Sequence, residues 1–276
     1  MLKDITIGQY FPGNSLIHRL DPCFKIIITL IFIVMLFIGD SVWCLVLGAV
    51  FTVMAVLMSK IPVKMFAKSI KPLLPFLLIT ALLNLFFVSS GEVCWQWKFI
   101  KITTGGINIS LFMIVRIVLL ISGSSLLTYT TSPITLTDAI ERLLSPLKKL
   151  KFPVHELAMM MSIALRFIPT LIEETDRIMA AQKARGAELD SGKLMARVKN
   201  MISIMIPLFV SAFRRADELA SAMECRCYNG GEGRTRLRQL KAAPRDFAAL
   251  AVTVIFLGVI IAADRLLKNI NITELF

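Results

Sequence analysis

The stretch GGINISLFMIVRIVLLISGSSLLT, residues 105–128, decides the fold class of this chain. It has 24 residues and one charge, Arg116, whereas a helix of about 20 mostly apolar residues is long enough to cross a bilayer. An arginine at the centre of such a span costs about 2.5–3.5 kcal/mol on insertion scales, so we expect Arg116 to face protein or water. We interpret it as a structural residue that holds the membrane helices to the long helices that follow them, with Asn84 and Ser122 as possible partners.

Four more apolar segments resemble this one in character. They occupy residues 24–39, 42–58, 72–88 and 247–263. The chain has 276 residues, of which 56% are hydrophobic, more than the roughly 45–50% of an ordinary soluble domain. The sequence therefore predicts an all-α polytopic membrane protein with about five transmembrane helices.

The distribution of basic residues orients these spans. The loop between the second and third spans carries four lysines and no acid, at Lys60, Lys64, Lys68 and Lys71. The positive-inside rule places that loop and the N-terminus in the cytoplasm and the C-terminus outside. Trp95 and Trp97, between the third and fourth spans, suit the outer interface. The basic residues behind the net charge of +12 flank the apolar segments. This distribution favours contact with a membrane surface over binding to nucleic acid.

Residues 129–246 have a different composition, with 19 Lys and Arg against 13 Asp and Glu, and we expect them to be cytoplasmic. We therefore divide the chain into a bundle of four spans (1–128), a cytoplasmic region (129–246) and a final span with its tail (247–276). Two apolar segments, 157–172 and 201–213, are shorter than a comfortable span, and each contains a proline. Charge counting leaves open whether they enter the membrane; we favour helices along its inner surface.

The cytoplasmic region predicts one short helix and two long ones. Ser132 can cap the short helix and Pro133 suits its first turn, with Thr135 as a second possible cap and an end near Pro146. The long helices should run from about His155 to Arg185 and from about Leu194 to Arg226. Each would be roughly 45–50 Å long at 1.5 Å per residue.

The two long helices end alike at a sequence offset of 41. The matching positions are Asp176, Ile178, Ala181 and Arg185 in the first helix and Asp217, Leu219, Ala222 and Arg226 in the second. Arginine offers a planar fork of donors suited to carboxylates, so each end could anchor in an acidic pocket of a partner. Alternatively, each arginine only favours the macrodipole at its helix end, and Gly186 is an ordinary glycine after a helix. Spacing alone leaves both readings open.

Three stretches together resemble the transmembrane (T) component of energy-coupling factor (ECF) transporters, relatives of ABC transporters that take up cobalt and vitamins. They are GNSLIHRLDPCFKI (13–26), RIVLLISGSSLLTYTTSPITLTDAIERLLSPL (116–147) and LRFIPTLIEETDRIMAAQKARG (165–186). The resemblance implies a non-enzymatic scaffold in the bacterial plasma membrane. It implies two cytoplasmic ATPase partners, which bind the ATP, and a small membrane-embedded S component, which captures a vitamin or metal ion.

The resemblance also implies roles for particular residues. Ala184, Arg185 and Gly186 match the Ala-Arg-Gly signature that docks one ATPase, and we name them the first tip. The second tip consists of Cys225, Arg226 and Cys227, which keep the arginine but not the alanine and glycine. No cofactor is implied for this chain itself.

Two other classes of function must be weighed. A self-sufficient permease that binds its own substrate should show an internal membrane repeat or broken helices at the midplane, and neither is clear. A membrane-embedded enzyme lacks support, because the spans contain no H-E-x-x-H, no paired carboxylates and no P-loop lysine motif. Cys225 and Cys227 form a lone C-x-C in a chain with two histidines, so we expect no metal site.

Overall fold

The computed structural model describes residues 10–39, 41–88, 93–97, 100–186, 194–230 and 242–267. The helices are α1 (Pro22–Ile38), α2 (Val42–Ser59), α3 (Val63–Ile70), α4 (Leu74–Phe87), α5 (Thr104–Thr130), α6 (Pro133–Leu144), α7 (Val154–Ala184), α8 (Leu194–Cys225) and α9 (Pro244–Leu267). Single 3₁₀ segments cover Lys71–Leu73 and Ser145–Leu150. The predicted all-α membrane class is confirmed. The N-terminal residues 1–9 and the tail 268–276, whose sides of the membrane the sequence predicted, lie outside the described residues.

Chain contacts divide the protein into two compact units. Of the described residues, those before 137 and those from 242 onward form the bundle unit, and those between 137 and 230 form the tip unit. Among the described residues, five helical runs are long and apolar enough to cross a membrane, namely α2, the continuous run of α3 and α4, α5, α7 and α9. The predicted first span coincides with α1, an apolar helix of 17 residues. Length and composition also admit α7, which contains 157–172, one of the two segments whose placement the sequence left open.

Helix α1 is an integral part of the bundle unit, because it packs against α9, α5 and α2. Its inward side chains join a buried cluster made of Phe32, Met35, Leu36, Cys44, Leu45, Leu119 and Ile260. Gly123 of α5 lies against the ring of Phe32 so closely that a Cβ at this position would overlap the ring. The close approach of α1 to α5 therefore requires a glycine there.

A short β-hairpin connects α4 to α5. Strand β1 (Val93–Trp97) pairs antiparallel with β2 (Ile100–Thr103), and the register places Trp97 opposite Ile100. The sequence predicted only a short connection here. The side chains of Trp95 and Trp97 lie outside the described residues, so their expected position at the outer interface stays a prediction.

The helix boundaries after the fourth span agree with the sequence. The backbone N–H of Thr135 donates to Ser132 Oγ at 3.4 Å, so Ser132 is the cap and Thr135 lies inside the helix. Helices α7 and α8 begin and end within one residue of the predicted limits. Pro169 and Pro207 lie within these continuous helices.

Candidate docking tips and the intramembrane arginine

The first tip is a tightly hydrogen-bonded helix end. Helix α7 ends at Ala184, and the N–H of Arg185 donates to the carbonyls of Ala181 and Gln182 at 3.2 and 3.1 Å. The N–H of Gly186 donates to the Lys183 carbonyl at 3.0 Å, and its φ of 85° is left-handed. This backbone exposes the Arg185 side chain just beyond the last helical turn.

The second tip has the same geometry without a glycine. Helix α8 ends at Cys225, and the N–H of Cys227 donates to the Glu224 carbonyl at 2.8 Å while that of Tyr228 donates to the Met223 carbonyl at 3.1 Å. These two bonds define a Schellman motif, which places its penultimate residue in the left-handed region. Cys227 takes that place with φ 55°, although a non-glycine residue costs roughly 1–2 kcal/mol there.

The two tips also share their exposure. The matching arginines, alanines and aspartates are all exposed, and Ile178 and Leu219 are both half-buried. All six residues that the resemblance assigns to docking are exposed, at Ala184, Arg185, Gly186, Cys225, Arg226 and Cys227. Each guanidinium is therefore accessible at the carbonyl end of a helix, where it can meet a carboxylate of another protein.

One ion pair joins the two long helices at equivalent positions. Arg215 Nη2 lies 3.2 Å from Glu174 Oε2, and these residues are separated by 41 positions, as Arg185 and Arg226 are. Farther along α7, Gln182 Nε2 donates to the carbonyl of Ser203 at 3.5 Å, which lies earlier in α8. The helices therefore run antiparallel where they meet.

We call the Glu174–Arg215 contact the crossing and the stretch from it to each tip an arm, and the two arms have equal length. Arg185 follows Glu174 by eleven residues, and Arg226 follows Arg215 by eleven. At 1.5 Å per residue each arm is about 16 Å long. Because the helices are antiparallel, the arms extend from the crossing in opposite senses.

Arg116 links two helices within the bundle unit. Its Nη2 donates to the carbonyl of Gly39 at 2.6 Å, at the end of α1, and its Cζ lies 4.6 Å from the centre of the Phe112 ring. The side chain is buried, with 9% of its surface exposed. Ser122, one of the two suggested partners, donates instead to the carbonyl of Val118 in its own helix at 2.7 Å. The other, Asn84, is half-buried on α4.

Sequence reasoning missed a buried polar cluster at the starts of α1 and α9. Asp246 Oδ2 accepts from the N–H of Ala243 at 2.7 Å, and Oδ1 accepts from the N–H of Asp21 at 3.0 Å. Asp21 in turn caps α1 through the N–H of Cys23 at 2.8 Å. Lys25 Nζ donates to the carbonyl of Thr130 at the end of α5, at 2.9 Å.

This cluster explains part of the motif at 13–26, since Asp21 and Lys25 tie the starts of two spans to the end of a third. The available signals were a lysine in the first turn of an apolar segment and an aspartate at the third position of the last helix, where a side chain can reach back to the cap. Within the described residues, no group of three His, Cys, Asp or Glu side chains is arranged for a metal ion.

Comparison with known proteins gives the class of this molecule. The family model described as "Cobalt transport protein", CbiQ, matches residues 13–237. Curated relatives named "Energy-coupling factor transporter transmembrane protein EcfT" cover nearly the whole chain. The Ruminiclostridium cellulolyticum protein is 53% identical over 264 residues, which is 96% of this chain and 98% of the relative.

Two further relatives carry the same name. The Clostridium kluyveri protein is 55% identical over 250 residues, covering 90% of this chain and 93% of its own. The Bacillus subtilis protein is 46% identical over 255 residues, which is 92% of this chain and 96% of the relative. The chain is thus a multi-pass membrane protein of a transport family. It belongs to the transmembrane (T) components of energy-coupling factor transporters, as the resemblance predicted.

Proposed function

We propose that this chain is the coupling scaffold of an ECF-type transporter. It transmits the ATP-driven motion of two cytoplasmic ATPases to a separate S component that captures a vitamin or metal ion. The observation that carries the proposal is the equivalence of the two tips. Each presents an exposed arginine followed by a left-handed residue, eleven residues beyond the ion pair that joins the helices.

Two similar anchors on opposed arms suit a partner that is itself a pair of similar subunits. In this proposal Arg185 enters an acidic groove of one ATPase, and Arg226 enters that of the other. The neighbouring residues Ala184, Gly186, Cys225 and Cys227 are small, so they let each guanidinium approach a partner's backbone closely. A rigid helix then carries the displacement of each ATPase back to the crossing at Glu174 and Arg215.

The proposed S partner finds support in an apolar face of α8. Every third or fourth residue along this face is hydrophobic and between 44% and 68% exposed, at Met201, Ile202, Met205, Ile206, Phe209, Val210 and Phe213. A contiguous apolar patch of this kind on a helix marks contact with lipid or with an apolar protein surface. Methionines adapt to different partners, which suits an S component that can be exchanged.

The remaining assignments follow from the same scheme. ATP binds to the partner ATPases, and this chain is non-enzymatic and carries no cofactor of its own. It lies in the bacterial plasma membrane with a cytoplasmic N-terminus and both tips in the cytoplasm. Arg116 has a structural role in the bundle unit, because it joins α5 to the end of α1.

The proposal is tested by reversing the charge at the tips. Removing one partner of a buried, charge-assisted pair costs roughly 2–5 kcal/mol. Arg185→Glu and Arg226→Glu should therefore each weaken copurification of the ATPases, and the double variant should abolish both assembly and ATP-driven uptake. Lysine at either position should restore assembly only in part, since it lacks the planar fork.

The matched controls are Arg177→Glu on α7 and Arg214→Glu on α8, which reverse an exposed charge on each long helix away from its tip. Both should leave assembly intact. If the arginines only complement the helix macrodipole, reversal should cost at most about 1 kcal/mol of local stability. Normal assembly and uptake in the double variant would remove the basis of the coupling scaffold.

A further inference from the structure

The bundle unit contains an apolar groove that is not part of the proposed coupling function. Its volume is about 360 Å³, which falls within the roughly 300–1,000 Å³ of small-molecule sites. Helices α1, α2, α5 and α9 and the segment before α1 form its walls. Within this lining, Leu16, Met54 and Met58 are 66%, 41% and 43% exposed, so the groove opens on the outer surface of the bundle.

The groove is charged at one end only. Its two cationic lining residues are Lys25 and Arg245, in the first turns of α1 and α9. Lys25 is buried, and its Nζ already donates to the carbonyls of Thr130 and His18 at 2.9 and 3.3 Å. Arg245 is exposed and forms no ion pair with another described residue. An anion at this end therefore meets the guanidinium of Arg245.

These features match one class of ligand. The walls of the groove are apolar and suit a hydrocarbon chain. The groove opens on the outside of the helix bundle, and the cationic Arg245 lies at the end where α1 and α9 begin. We propose that the groove holds an acyl chain of an anionic phospholipid, with the headgroup phosphate beside Arg245. The lipid fills the space between α1, α2, α5 and α9 near the polar cluster of Asp21 and Asp246.

The test uses the purified full chain and two lipids with identical acyl chains, phosphatidylglycerol and phosphatidylcholine. Native mass spectrometry should show preferential retention of phosphatidylglycerol. Arg245→Gln should lower that preference about fivefold, equivalent to about 1 kcal/mol for one basic residue near the membrane surface. Ala249→Phe, which places a ring inside the groove, should reduce retention of both lipids.

The matched control is Lys64→Gln, which removes one exposed charge from α3 outside the groove and should leave the preference unchanged. A photoreactive benzoylphenylalanine at Met58, a partly exposed residue of the lining, locates the ligand, and it should crosslink to lipid. Millimolar glycerol 3-phosphate should not displace the lipid, because it lacks the acyl chain.

Four results would overturn the proposal. One is equal retention of the two lipids by the unaltered chain. Another is an equal loss of the preference for phosphatidylglycerol in Arg245→Gln and Lys64→Gln, which would show that the preference comes from general surface charge. The third is crosslinking from Met58 chiefly to a protein in the assembled transporter, which would make the groove a protein interface. Displacement by glycerol 3-phosphate would likewise favour a soluble phosphate ligand over a lipid.

Discussion

Gly186 and Cys227 occupy the same backbone position, one residue after the arginine of each tip. Their φ angles are 85° and 55°, and each N–H donates to the carbonyl three residues earlier. Glycine adopts this conformation freely, whereas cysteine has a Cβ that crowds the following carbonyl. The second tip therefore keeps the shape of the first at a local cost in free energy.

Cys227→Gly should relieve that cost and stabilise the end of α8 by about 0.5–1 kcal/mol. The measurement is the free energy of unfolding of the purified chain. Cys225→Gly is the matched control, because it makes the same change inside the helix, where glycine should lower stability by a few tenths of a kcal/mol. Two effects of the same sign would contradict the left-handed assignment of Cys227.

The ion pair of Glu174 with Arg215 should matter more for transmission than for stability. Both side chains are partly exposed, at 24% and 35%, and a pair in that setting is worth about 0–1 kcal/mol. Glu174→Arg should place two guanidinium groups together at the crossing of the arms. We expect the ATPases to remain bound while ATP-driven uptake falls.

The charge-swapped double variant, Glu174→Arg with Arg215→Glu, should recover uptake, as measured in reconstituted vesicles. Glu173→Arg serves as the control, since it adds the same charge at an exposed neighbouring position and should leave uptake near normal. If the swapped pair transports no better than Glu174→Arg alone, the crossing does not depend on this pair.

The sequence predicted the limits of the helices well because the residues at the helix ends are of types typical of helix starts and ends. Ser132 before Pro133 marks a helix start, and a polar tip follows each long amphipathic run. Three features escaped prediction for physical reasons. Cys227 adopts a left-handed φ without being glycine, Arg116 binds a backbone carbonyl that no side-chain pattern reveals, and Asp246 meets Asp21 across 225 residues.

Arg116→Leu should insert readily but loosen the bundle unit. The change leaves the buried carbonyl of Gly39 without this donor, and an unsatisfied buried polar group costs roughly 1–3 kcal/mol. Thermal unfolding in detergent should therefore occur at a lower temperature. Ser122→Ala is the control in the same helix, because Ser122 donates only to the carbonyl one turn earlier, and it should be close to neutral.

Unchanged thermal stability and uptake in Arg116→Leu would show that the residue has no structural role. A large loss in Ser122→Ala together with a small one in Arg116→Leu would instead favour Ser122 as the residue that holds the bundle together.

The last prediction concerns the side of the membrane on which the first tip lies. Length and composition allow α7 to cross a bilayer, yet Arg166, near its middle, is exposed, and a charged side chain is unsuited to lipid. We expect α7 to lie along the inner surface, so that both tips face the cytoplasm. Lys183→Cys, on a background without other cysteines, should then resist an impermeant maleimide in intact cells and react in inverted vesicles.

Two reporters complete this experiment. Each reporter is the sole cysteine of its variant: Ser41→Cys, between the first two spans, should react in intact cells, and the native Cys225, kept without Cys227, should react only in inverted vesicles. If α7 and α8 both crossed the membrane, Cys225 would behave the same, but Lys183→Cys would react in intact cells as Ser41→Cys does. The two arginines would then face different compartments, and a pair of cytoplasmic ATPases could not bind both tips.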